Sequence, residues 1–181
     1  ANDNGTGVAA LLILAEMLRS HAPAKTIKFV AFVNEEPPFS YSEQMGSVVY
    51  AKRCKAMEEN IIGMMSLETI GYYADAKGSQ SYPFPLSMFY PDVGNFIGFV
   101  GNPASADFLK KAIASFRRHG RVPSEGGIVP AMIPGAGWSD HWSFWQEGYP
   151  AIMITDTAPF RCTYYHTAQD TIDKIAFDPF T

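Results

Sequence analysis

Thr26-Ile27-Lys28-Phe29-Val30-Ala31-Phe32-Val33 runs directly into Asn34-Glu35-Glu36-Pro37-Pro38, and the junction of these two halves decides how the chain is read. The first half is β-branched and aromatic with Lys28 as its one charge, the pattern of a strand buried on both faces of a parallel sheet. The second half places two adjacent carboxylates on the end of that strand. Toward the N-terminus, Val8, Leu11, Leu12, Ala15 and Leu18 form a single stripe of 3.6-residue period, so Val8 to Leu18 is expected to be an amphipathic helix, ended before Pro23. Downstream the same two periods alternate. Met45 to Met57 reads as a helix, Ile61 to Leu67 and Asn95 to Val100 as buried strands, and Ala106 to Arg118 as a helix with Phe108, Leu109, Ala112, Ile113 and Phe116 turned inward. Ser139 to Gln146 is a short aromatic helix and Ala151 to Thr155 a last buried strand. Such alternation predicts an α/β fold, a three-layer sandwich with a mostly parallel (mixed) central sheet flanked by helices. Two stretches rich in Gly, Pro, Ser and Tyr, Gly71 to Pro91 and Arg121 to Gly137, interrupt it and read as long functional loops.

Composition supports one packed unit. The 181 residues are 47% hydrophobic and only 18% charged, which excludes a disordered chain and is consistent with a single domain over residues 1–181. A net charge of −4 supplies no basic field, so nucleic acid is not an expected partner. No apolar run approaches the ~18 residues of a membrane-spanning segment. Cys54 and Cys162 share no CxxC spacing, which excludes a zinc knuckle and leaves a single disulfide open.

Ligands of open parallel sheets bind outside the carboxyl ends of the strands, and here those ends are acidic. Glu35 and Glu36 follow the first strand, and Glu68 follows Ser66-Leu67 at the end of the second. Carboxylates crowded at an apolar edge repel one another and resist desolvation unless a cation is present; solvated strand ends are the alternative for any one of them alone. Asp3 in Asn2-Asp3-Asn4-Gly5-Thr6-Gly7 either caps the first helix or ligates a metal on a glycine-permitted turn. His166, in the loop after the last strand, is either a polar loop residue or an imidazole ligand. Together Asp, Glu and His form an oxygen and nitrogen set suited to zinc. The vicinal pair is the most telling element, because adjacent residues at a strand end diverge, so that one carboxylate can hold metal while its neighbour takes a proton from water.

These residues resemble the M28 zinc peptidases, co-catalytic aminopeptidases of a clan that also holds glutaminyl cyclases and glutamate carboxypeptidases. The likeness is carried by five blocks in family order: Asn2-Asp3-Asn4-Gly5-Thr6-Gly7, Phe32-Val33-Asn34-Glu35-Glu36, Met64-Met65-Ser66-Leu67-Glu68-Thr69-Ile70-Gly71, Ser139-Asp140-His141 with Phe144, and Tyr165-His166-Thr167-Ala168-Gln169-Asp170-Thr171. It implies a zinc-aminopeptidase-like fold with Asp3 bridging two Zn2+ ions, Glu36 and His166 completing one site and Glu68 serving the other. It further implies Glu35 as general base and Tyr165 as donor to the oxyanion. Asp140 and His141 are implied as supporting residues, by capping a helix or buttressing the site. Asp170 is expected to cap a turn.

The resemblance also exposes gaps. A further family ligand, a His in an HxD motif on a strand before the bridging Asp, has no counterpart here, and His21 and His119 fall where surface roles are expected. Phe177-Asp178-Pro179-Phe180-Thr181 reads as the start of a closing helix. The expectation is therefore a catalytic domain truncated at both ends, with two zinc ions in the intact protein, one or none in this chain, and activity at risk from the missing ligand. The leading function is a zinc exopeptidase acting on the N-termini of a peptide substrate; the alternatives are a glutaminyl-cyclase-like zinc acyltransferase and a metal-free scaffold. Aromatics crowd the suspected rim: Tyr72, Tyr73, Phe84, Phe89, Tyr90, Trp138, Trp142, Phe160 and Tyr164. Most are expected to be packing; any that line a pocket would favour large apolar substrates. Trp138 stands where some secreted members carry Arg, so their substrate contacts do not transfer.

Overall fold

The computed structural model describes residues 1–177, so the expected closing helix at Phe177 to Thr181 lies almost wholly outside the described residues. Four helices and four strands form the frame: α1 (Gly7–Leu18), α2 (Gly46–Ala56), β1 (Met64–Glu68), β2 (Ile97–Gly101), α3 (Ala106–His119), β3 (Ser124–Ile128), α4 (His141–Gln146) and β4 (Ala151–Thr155). The sheet order is β1-β4-β2-β3. β1 and β4 run parallel, β2 and β3 run parallel, and β2 meets β4 antiparallel, so the sheet is mixed.

Alternation along each strand divides the packing between two faces. On one face Ile97, Phe99 and Ile152 close a core with Leu109 and Ile113 of α3, and Phe108, Ala112 and Phe116 pack around them as the helical stripe predicts. On the other, Ala151 and Met64 pack against Ala51 of α2 and Phe144 and Trp145 of α4. The sandwich is therefore three-layered. Burying Leu109 or Ile152 in this way contributes about 2–3 kcal/mol each relative to exposure.

Three expectations need correction. Thr26 to Val33 is extended but joins no ladder. No strand pairs with it among the described residues, and its Val30 and Phe32 line cavities together with Met64 and Met65 of β1. β-propensity is realised only against a neighbour, and without one the stretch is half-exposed rather than buried on both faces. Conversely, β3 lies inside the stretch expected to be a loop. Its Ser-Glu-Gly-Gly-Ile sequence has Ile128 as its one strand former, and the glycines leave room for close packing: a Cβ at Gly126 would meet Ile113 Cδ1 of α3 at 2.9 Å, so a larger residue there would make that side chain shift. The stripe of α1 is the third, since Val8 and Leu12 point outward and Leu11, Ala15 and Leu18 are only half-buried. Cys54 and Cys162 are both free and buried, which closes the disulfide alternative. No helix among the described residues is long and apolar enough to cross a membrane.

Candidate metal centre

Three of the expected ligands meet at the carboxyl edge of the sheet. One ligating atom each from Asp3, Glu36 and His166 lies within 4.8 Å of the other two, and no other such group occurs among the described residues. His166 Nε2 stands 3.2 Å from Asp3 Oδ2 and 3.2 Å from Glu36 Oε1. Asp3 is largely buried, whereas Glu36 and His166 are about half-exposed, so the triad opens to solvent on one side. Burial, then the nearby Glu36 carboxylate, pushes the Asp3 carboxyl above its ordinary range. Two carboxylates converging on one imidazole at this spacing form a donor set that fits a zinc ion and is electrostatically costly without a cation.

The backbone at these positions is unusual. Asn34, immediately before the vicinal pair, Thr69, immediately after Glu68, and His166 itself all have φ near +50°. Non-glycine residues adopt that region rarely, and for β-branched Thr69 it is an outlier that its surroundings must enforce. They do so: Thr69 N–H donates to Asn4 Oδ1 at 3.0 Å and its hydroxyl to Glu68 O at 2.7 Å.

Glu35 and Glu68 share a cleft with Asp3, Glu36 and Asp140. Burial, reinforced by Asp140, Glu36 and Asp3, raises Glu35 to about 8. Glu68 lies deeper and outside the group of three. Burial and Glu35 raise it to about 9, opposed by a hydrogen bond from Ser139 Oγ to its Oε2 at 2.8 Å. Tyr165 stacks on His166 with ring centroids 4.0 Å apart, and burial keeps its phenol protonated well beyond the usual range.

The supporting pair separates. Asp140 faces the cleft with Oδ1 lacking a partner and its carboxyl raised by burial. His141 turns away, fully buried and edge-on to Trp145 at 4.5 Å, with Nε2 donating to Ala136 O at 2.8 Å; burial lowers it to about 4, so it is a neutral buttress. Asp3 makes no capping hydrogen bond to the helix that follows, which removes that alternative. Asp170 is no turn cap either: its carboxylate accepts from the backbone N–H of Asn2 at 2.9 Å and of Asp3 at 3.0 Å, clamping the segment that presents Asp3.

A second clamp escaped the sequence reading. Asp156, buried after β4, accepts Asn2 Nδ2 at 2.9 Å and Tyr72 N–H at 2.8 Å, while Asn2 Oδ1 accepts Gly71 N–H at 2.9 Å. The signal was available, since an acid following an apolar strand is what singled out Glu35 and Glu68.

Of the rim aromatics, Tyr90, Trp138 and Phe160 line an apolar cavity beside Glu68 and Tyr165. Phe84 and Phe89 are solvent-exposed, Trp142 packs on Tyr41 and the α2–α4 core, Tyr72 pairs with Tyr164, and Tyr73 lies under Arg161.

Comparison with known proteins identifies the family. The family model Peptidase family M28 matches residues 1–180. Protein YfbL of Escherichia coli (strain K12), itself uncharacterised, is 42% identical over 178 residues, which are 98% of this chain and 54% of that protein. A probable zinc metalloprotease of Pyrenophora teres f. teres is 27% identical over 86% of this chain and 34% of its own length. Among solved structures, the aminopeptidase from Aneurinibacillus sp. strain AM-1 superimposes with a TM-score of 0.65 at 27% identity, covering 99% of this chain and 36% of that one. The chain thus spans about half the length of YfbL and about a third of the other two. Taken with the fold and the convergence of Asp3, Glu36 and His166, the match over nearly every residue means that this chain belongs to peptidase family M28.

Proposed function

We propose that the protein is a zinc-dependent aminopeptidase that hydrolyses the N-terminal peptide bond, with Glu35 as general base. The single observation that carries this reading is the placement of Glu35: one residue from a candidate ligand, within the same cleft as the triad, and raised to about 8 by burial and neighbouring carboxylates. A base whose affinity for protons sits near neutrality can accept one and return it.

Asp3, Glu36 and His166 would hold one zinc ion; Glu68, with Asp3 bridging, would serve a second. Zinc, when bound, polarises a substrate carbonyl and lowers the pKa of its water to about 7. Glu35 takes the proton of the attacking water and delivers it to the departing amine. Tyr165, protonated and stacked on His166, donates its hydroxyl hydrogen to the oxyanion. Asp170, Asp156 and Asn2 hold the Asp3 turn in place, and Ser139 holds Glu68. The carboxylates remaining around the cleft suit the α-ammonium group of a peptide N-terminus.

The test is release of amino acids from aminoacyl-nitroanilides by the zinc-loaded protein. Activity that disappears in Glu35→Gln while zinc content is retained supports the reading; activity that survives the substitution contradicts it. Glutaminyl peptides provide the control for the acyltransferase alternative, because cyclisation releases ammonia and consumes no water.

A further inference from the structure

Strand pairing places four residues in one row across the sheet: Glu68 opposite Thr155, Thr155 opposite Gly98, and Gly98 opposite Glu125. Directly paired residues point to the same face, so all four look into one cavity, of about 100 Å³, whose roof is formed by Tyr82, Tyr90, Trp138 and Phe160. Glycine at 98 keeps the floor low, since a Cβ there would stand 3.2 Å from Thr155 O and 3.4 Å from Thr157 Cγ2. The cavity is apolar along its length with a carboxylate at each end. No lysine, arginine or histidine lines it.

Glu68 ends at the metal cleft, but Glu125, on the edge strand β3, has no side-chain hydrogen-bond or ion-pair partner among the described residues that would explain its orientation. Its two phenolic neighbours are committed elsewhere: Tyr90 Oη donates to Gly126 O at 3.0 Å and Tyr82 Oη to Pro91 O at 2.7 Å. A carboxylate at the far end of an apolar slot, with no donor of its own, is a receptor for a cation carried on an aliphatic stem. The dimensions agree. Three inter-strand steps put the Glu68 and Glu125 backbones about 14 Å apart. A lysyl or arginyl side chain spans roughly 6–7 Å from its Cα, which leaves a few ångströms at each end for the two glutamate side chains.

We propose that this cavity receives the side chain of the N-terminal residue of the substrate and that Glu125 makes it selective for lysine or arginine. This rests on the aminopeptidase reading for the identity of the substrate, but the binding preference can be read without turnover. Lysine and norleucine differ only in the terminal ammonium, so their hydroxamates, which are not hydrolysed, isolate that group. Calorimetric titration of the zinc-loaded native protein is expected to give about ten-fold tighter binding of lysine hydroxamate than of norleucine hydroxamate, the size of one charge-assisted contact in a partly solvated site. Glu125→Gln is expected to abolish the difference, and Glu125→Leu to invert it.

Equal or tighter binding of the norleucine compound to the native protein, a lysine preference that persists in Glu125→Gln, or failure of zinc-loaded protein to bind either compound each overturns the proposal. Unchanged thermal melting of the variants shows that the pocket and not the fold was altered. Nitroanilide hydrolysis, measured alongside, tests the enzymatic reading separately: a lysine preference without turnover would defeat that reading and leave this one standing.

Discussion

Glu35 and Glu36 are neighbours in sequence with different work to do, and substitution separates them. Glu35→Gln keeps the size and the hydrogen-bonding capacity of the side chain but removes its basicity, so kcat is expected to fall ~10³-fold with zinc stoichiometry unchanged. Glu36→Gln is expected to lower zinc content itself, as metal analysis after dialysis will read. Tyr165→Phe removes one donor aimed at the oxyanion and is expected to reduce kcat by about ten- to a hundred-fold with little change in KM. At this scale much of the candidate site is legible in the sequence, because a carboxylate at the end of an apolar strand conflicts with burial and so announces itself; Asp3, Glu36 and His166 do converge. Asp156 obeys the same rule, but Thr155-Asp156-Thr157 carries no neighbouring motif that distinguishes it from a solvated strand end. Glu125 carries no signal of its own in the sequence, where it falls inside the Arg121 to Gly137 stretch that reads as a loop. Only the register of β3 against β2 reveals where its side chain points.

Between residue and fold lies the turn from Asn2 to Thr6, which is held by backbone groups following β1 and by the Asp156 and Asp170 side chains rather than by a helix cap. Asn2 is its hub, bonding to Asp156, to Gly71 N–H and to the Thr6 hydroxyl. Asn2→Ala would take one of two donors from the buried Asp156 carboxylate, which keeps the Tyr72 N–H, and would leave the Gly71 N–H without its acceptor. We expect a loss of about 2–4 kcal/mol, seen as a lower urea midpoint at unchanged m-value, together with weaker zinc binding because Asp3 is the next residue. Element types were readable where a residue pattern met a neighbour of its own, as in α3, whose Leu109 and Ile113 fall into the predicted stripe. Reading failed where packing overrode propensity. β3 pairs with β2 and packs closely under α3 at Gly126, whereas Thr26 to Val33 pairs with no strand among the described residues, although its composition is the more strand-like of the two.

For the molecule as a whole, the acidic cleft links stability to both pH and metal. In the metal-free protein Glu35 and Glu68 titrate at about 8 and about 9, whereas unfolding returns them to ordinary carboxyl values. The folded state therefore binds more protons than the unfolded state between about pH 5 and 9, so these two groups make it lose stability as the pH rises through that window. Buried neutral His141 acts in the opposite sense, with stability lost as the pH falls from about 6.5 toward 4. Zinc offsets the first effect, so chelation is expected to lower the melting temperature more at pH 8 than at pH 6, as paired thermal melts will show. All of this depends on one claim, that the three converging side chains grip a common ion. Zinc-edge anomalous diffraction from crystals of the zinc-loaded protein tests it most directly. The expected result is an ion about 2.0–2.2 Å from an oxygen of Asp3, an oxygen of Glu36 and Nε2 of His166; a map with no peak there, or with zinc held only by other residues, would overturn the assignment.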